Sequence, residues 1–139
     1  RDDLVTGVQT CALPIFFDRR FISDEITNIL IKKNIKLHAR SIFLQGILLN
    51  PLNLHNYFQK WEDTFYDYQE WLNEARLTPL NACIQFLLKN SNIDSILFGV
   101  DSLKQLKDII ESIDNDYNLT IPEFFFSDID LINPTKWKI

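Results

Sequence analysis

Two short apolar runs, each leading into a glycine and each set between helical patterns, constrain this chain more than any other feature. "IKLHARSIF" (residues 35–43) is apolar at Ile35, Leu37 and Ala39 and runs on into "LQGILLNP". "DSILFGV" (residues 94–100) is nearly continuous in apolar residues, the pattern of a strand covered on both faces. Both runs are too short for helices and are bounded by turn formers, so they read as strands. Gly46 and Gly99 stand where these strands give way to loops.

The segments around them have helical spacing. Ser23 and Asp24 can cap a helix through Ile26, Ile29 and Leu30 that ends in cations and stops at Asn34. Phe58, Trp61, Phe65, Tyr68 and Leu72 recur every three or four residues over residues 54–76, as one stripe of an amphipathic helix, continuous or broken. Thr78 and Pro79 supply the N-cap and first position of a helix that buries Leu80, Cys83, Phe86 and Leu87 and stops at Asn90. "SLKQLKDIIESID" places Leu103, Leu106, Ile109, Ile110 and Ile113 inward. The tail, "LTIPEFFFSDIDLINPTKWKI", is less regular. The order is helix, strand, helix, helix, strand, helix, tail. Such alternation implies parallel strands joined by crossovers, with ligands bound at the C-terminal edge of the sheet. A glycine at that edge lets a backbone N–H approach a phosphate.

Charge and cysteine usage narrow the classes. With 14 basic and 19 acidic residues and no basic cluster, the chain is mildly acidic, which argues against nucleic acid or an anionic membrane as its main partner. No apolar run approaches the roughly 18 residues of a membrane span. The patterns of dinucleotide fingerprints, P-loops, zinc proteases and paired cysteines are absent from the sequence.

The first fifteen residues read differently from the rest. Reverse translation of "VTGVQTCALPI" (residues 5–15) resembles a widely used sequencing-library adapter in one frame, and composition shifts at the seam. Residues 1–15 are therefore expected to be a non-native segment and are set aside from the fold reading. The chain also contains no Met, which fits a fragment. Of the two cysteines, Cys11 lies in that segment; Cys83 alone cannot form a disulfide within the rest, which favours a reducing cytoplasm.

Four segments in order, "FFDRR" (residues 16–20), "ARSIFLQGILL" (residues 39–49), "FGVDSLKQLKDI" (residues 98–109) and "INPTKW" (residues 132–137), resemble the C-terminal part of the aldo/keto reductase family. The resemblance covers residues 16–139 and implies an incomplete (β/α)8 barrel, about strands seven and eight with their helices, from an enzyme that reduces carbonyls with NADP or NAD. It implies a nicotinamide dinucleotide and a small carbonyl substrate as partners, with sugar-related carbonyls as one class.

Within that resemblance the expected cofactor residues are Arg40, Ser41, Gln45, Gly46, Gly99, Asp101, Ser102, Gln105 and Asp108. Arg40 stands where the family usually has an aromatic residue that stacks on the nicotinamide. Gln45 and Gly46 match the loop that approaches the pyrophosphate. Gly99, Ser102, Gln105 and Asp108 match the adenosine end. Asp101 replaces an Arg associated with the 2′-phosphate of NADP, which leans toward NAD, and Ile109 replaces an Asn. The catalytic Tyr, Lys, Asp and His of the family fall in strands this chain does not contain, so no catalytic residue is expected in it and the chain alone is expected to be inactive. His38 lies in a strand and reads as structural; His55 reads as a loop or helix start. Residue by residue, Gly46 also fits a plain positive-φ turn, Ser102 a plain helix N-cap, and Cys83 a small buried residue. A second class of function is a nucleotide-binding regulatory or interaction subunit of the same fold without catalysis; a third is a stand-alone α/β interaction domain.

Overall fold

The computed structural model describes residues 10–12, 24–117, 120 and 128–139. Its centre is a parallel three-stranded sheet in the order β1 (Thr10–Ala12), β2 (Leu37–Arg40), β3 (Ser95–Leu97). Thr10 lies opposite Leu37 and Ala12 opposite Ala39; His38 lies opposite Ser95 and Arg40 opposite Leu97. Two strands were expected, and the third falls within the segment set aside. The fold class is α/β with crossover helices, as the alternation implies.

Both expected strands are shorter in the structure than their apolar runs. β2 stops at Arg40 because Ser41 turns to φ 55, outside extended backbone. β3 is only part-covered rather than buried on both faces: among the described residues it pairs with β2 alone, and Leu97 is 51% exposed. Asp94 lengthens the β2–β3 ladder by one step. Its N–H donates to the Leu37 carbonyl (2.9 Å) and its carboxylate accepts from the Leu37 N–H (2.8 Å).

The helices form where the spacing places them. α1 (Asp24–Lys32) ends in a paired turn in which the Asn34 N–H donates to Ile31 and the Ile35 N–H to Leu30. Asn34 takes φ 52 there, a left-handed conformation asparagine tolerates. Ser23, its expected cap, and "FFDRR" lie outside the described residues. The long amphipathic stripe is broken, into a 3-10 helix (Asn56–Trp61) and α2 (Glu62–Ala75), and all five of its periodic residues are buried. The Thr78 hydroxyl caps α3 (Pro79–Leu88), accepting from the Asn81 N–H at 3.1 Å. α3 is buried along its whole middle, Ala82 to Leu87, including the polar Gln85.

α4 (Leu103–Asp114) corrects the expected inward face. Ile109 is buried and Leu106 half-buried, but Leu103, Ile110 and Ile113 are exposed. The helix is instead held by Gln85, whose amide donates to the carbonyls of Ser112 (2.7 Å) and Asn115 (2.8 Å). Those carbonyls belong to a helix end, where no intrahelical N–H remains to satisfy them.

Part of the irregular tail is tied to the 3-10 helix. Asp128 caps the short α5 (Ile129–Ile132) through the Asp130 N–H (2.9 Å) and also accepts from the Trp61 indole (2.9 Å). Trp137 sits edge-on to Phe58 at 4.8 Å between centroids and donates to the Leu131 carbonyl. The Lys60 ammonium lies 3.9 Å from the Trp61 ring centre. "INPTKW" therefore does structural work, closing the core over Phe58. That core joins Ala39 of the sheet to the 3-10 helix, α2, α3 and Leu131 of the tail in one apolar cluster.

Candidate functional site

A cavity of about 840 Å³ opens at the C-terminal ends of β2 and β3. That size suits a small-molecule or cofactor site, for which the usual range is about 300–1,000 Å³. Three pieces of chain form its rim: the end of β2 with its following turn, the end of β3, and the first turns of α4.

The turn after β2 is tightly wound. Leu44, Gln45 and Gly46 all take positive φ (48, 54 and 89). The Gly46 N–H donates to the Phe43 carbonyl (2.9 Å), and the chain passes directly into a 3-10 turn at Ile47–Leu49. A Cβ on Gly46 would meet nothing within 4 Å, so backbone conformation, not crowding, explains glycine here. Gly99 has no positive φ, and a Cβ there would also meet no protein atom. Glycine at 99 keeps only the cavity itself clear.

Ser102 caps α4, its hydroxyl accepting from the Gln105 N–H at 3.2 Å. The Gln105 side chain folds back and accepts from the Asp101 N–H at 2.7 Å. Lys104 donates to Asp108 at 2.6 Å, an (i, i+4) pair on one helix face. No cation among the described residues pairs with the Asp101 carboxylate, and no acid among them pairs with the Arg40 guanidinium.

Of the nine positions singled out in the sequence, Arg40, Ser41, Gln45, Gly46, Gly99, Asp101, Gln105 and Asp108 line this one cavity. Ser102 does not line it; it shapes the turn beneath Asp101 and Gln105. The apolar walls were not singled out: Phe43, Leu49, Leu80, Leu97 and Phe98 line the same space. Leu97 and Phe98 adjoin Gly99 and were within reach of sequence reasoning. Leu80 was not, because only folding brings α3 under the rim.

His38, His55, Tyr68 and Cys83 do not line this cavity. His38 sits within β2, with its Nδ1 2.5 Å from the Ser95 hydroxyl. His55 starts the 3-10 helix, its Nδ1 accepting from the Tyr57 N–H. Burial pushes the Cys83 thiol up to about 12, only partly opposed by its contact with the Tyr68 hydroxyl. Burial likewise raises the Tyr68 phenol, with Cys83 adding to the shift. Neither is poised as a nucleophile or acid near neutral pH. Among the described residues no cluster of His, Cys, Asp and Glu could hold a metal ion, and no helix is long and apolar enough to cross a membrane.

A parallel α/β sheet with its cavity at the C-terminal strand ends places this chain among α/β proteins that bind ligands at that edge. The aldo/keto reductase family model matches residues 5–130, and the chain belongs to that family, whose members are oxidoreductases on a (β/α)8 barrel. The match begins inside the segment set aside in the sequence reading. A search of the curated proteins returns no match. The family generally uses a nicotinamide cofactor and acts on carbonyl compounds.

The cavity's own chemistry suits such a group. Apolar walls can take flat rings, glycine at 46 and 99 leaves the rim open, and free charges of both signs are present at Arg40 and Asp101.

Proposed function

We propose that this chain is the cofactor-holding C-terminal part of a reductase that passes hydride from a nicotinamide dinucleotide to an aldehyde or ketone, with sugar-related carbonyls among its substrates. The observation that carries the reading is that eight positions matched by the family resemblance, from two separate stretches of chain, line one cavity at the C-terminal edge of the sheet. When bound, the dinucleotide supplies the hydride. The chain's own residues hold and orient it: Gln45 and Gly46 at its pyrophosphate, and Gly99, Gln105 and Asp108 at its adenosine end, over the turn that Ser102 caps.

Asp101 directs the choice of cofactor toward NAD. Its unpaired carboxylate would repel a 2′-phosphate and can accept from a ribose hydroxyl. Protonation of the substrate oxygen belongs to a Tyr acid with Lys, Asp and His neighbours that this chain does not carry, so the chain alone does not catalyse the reaction. Residues 1–15 are, on this reading, derived from adapter sequence, and the parent protein works in the cytoplasm.

One observation favours a second reading, a nucleotide-binding subunit without catalysis. Ile109, in place of the family's Asn, is buried against the core and offers the cavity no hydrogen bond.

Titration with NADH and NADPH, followed by energy transfer from tryptophan, tests the cavity assignment. Saturable binding, tighter for NADH and weakened by Gly99→Val without loss of thermal stability, is expected. Absence of saturable binding for both cofactors would remove the assignment.

A further inference from the structure

We infer that Arg40 makes this cavity discriminate between the two redox states of its cofactor, favouring the reduced form. The inference rests on the dinucleotide reading above.

Arg40 is the last residue of β2, and strand alternation puts its side chain on the face opposite Leu37 and Ala39. Those two are buried, and Ala39 belongs to the core shared with the helices. The other face is open. His38 contacts Ser95 across it, and Leu97, the register partner of Arg40, is half-exposed there. In a (β/α)8 barrel the face away from the helices is the inner one, and chemistry takes place over the C-terminal strand ends. Arg40 meets both conditions, and it lines the cavity. Asp101 and Asp108 come from another part of the rim, just before α4 and on its second turn, and Asp108 is paired with Lys104. On the dinucleotide reading, the cavity has a cation at the reacting ring and one unpaired acid, Asp101, at the other end.

The oxidised nicotinamide ring carries a positive charge, and the reduced dihydronicotinamide ring carries none. The remainder of the dinucleotide is the same in both states. A guanidinium can lie against either ring by its flat face, but only the oxidised ring repels it. With the site open to solvent, two like charges in contact are worth a factor of roughly five to ten in binding. A tenfold preference for the reduced form raises the midpoint of the bound couple by about 30 mV. Arg40 is on this account a specificity-determining residue for redox state, while Asp101 sets the choice at the other end.

The test compares dissociation constants of NAD+, NADH and ADP-ribose for the chain with Arg40, Arg40→Gln and Arg40→Lys. NADH should bind more tightly than NAD+, and Arg40→Gln should shrink that ratio about fivefold to tenfold. Arg40→Lys should keep most of the ratio, and ADP-ribose should bind all three chains alike. An unchanged ratio in Arg40→Gln, with ADP-ribose still bound, overturns the role of Arg40 and leaves the cavity assignment standing. Equal weakening of all three ligands shows that Arg40 reads the pyrophosphate, which also overturns it. Failure of ADP-ribose to bind the unaltered chain removes the cavity assignment, and this inference with it.

Discussion

Gln85 is a buried polar residue on which the α3–α4 contact depends. It is 3% exposed, sits in the middle of α3, and spends both amide hydrogens on carbonyls at the C-terminal end of α4. Those partners can only accept, so the amide must present its nitrogen to them. Gln85→Leu keeps the volume but removes both bonds and strands the Ser112 carbonyl between helices. Two net hydrogen bonds at about 1 kcal/mol each, with a desolvated carbonyl added and some apolar burial returned, give a loss of about 2–3 kcal/mol. Gln85→Glu is nearly isosteric and worse. Ionised, it would set a buried carboxylate against two acceptors, at a cost of about 3–5 kcal/mol. Its folded-state pKa would be raised, so the folded chain would bind the proton more tightly than the unfolded one. The Glu penalty should then be smaller below the unfolded value of about 4.3, where a protonated carboxyl still serves only one of the two carbonyls, and grow as pH rises through the folded value. Urea denaturation followed by tryptophan fluorescence at pH 4.5 and 7.5 measures both variants. A Gln85→Glu chain as stable as the parent at pH 7.5, or one with no pH dependence beyond the parent's, would refute the role assigned to this amide.

Three smaller predictions concern other parts of the chain. Gly46→Ala should lower stability by about 1–2 kcal/mol because φ is +89, whereas Gly99→Ala should be close to neutral in denaturation, its φ being ordinary and its Cβ unopposed. Asp128 is held below the usual carboxylate range, first by the Asp130 N–H and then by the Trp61 indole. Its contribution is therefore present above about pH 3.9 and lost as pH falls through its lower folded value; Asp128→Asn should destabilise at pH 7 and differ little from the parent at the acid end of a stability–pH curve. In a Cys11→Ser background, Cys83 should stay unreactive to an aromatic disulfide reagent at pH 8 until denaturant is added, since its thiol is buried and pushed up to about 12.

Local signals in this sequence carry much of the structure. The stripe from Phe58 to Leu72, the Thr78–Pro79 start and the Asn34 stop depend on neighbours within a turn or two, and each stands where its spacing places it. The strands are less legible at their ends, because Ser41 φ and the pairing of β3 with β2 are decided by the turn and the sheet. The outward position of Leu103, Ile110 and Ile113 is a tertiary matter too. Gln85 fixes which face of α4 meets α3, and a polar residue in an apolar run gives no advance notice of that. Gly46 and Gly99 on the rim were legible as glycines at strand ends, whereas Arg40, Ser41, Gln45, Asp101, Gln105 and Asp108 were reached through the family resemblance. Leu80 in its wall comes from a different element and was not.

The source DNA is the most direct test of the proposal that this chain is the cofactor-holding part of a hydride-transfer barrel. Amplifying and sequencing upstream from within the codons of residues 16–40 should show the string encoding "VTGVQTCALPI" replaced by an open frame of about six strand–helix units carrying the Tyr, Lys, Asp and His. A frame that lacks the Tyr and Lys, or that string found intact in genomic DNA, would contradict it.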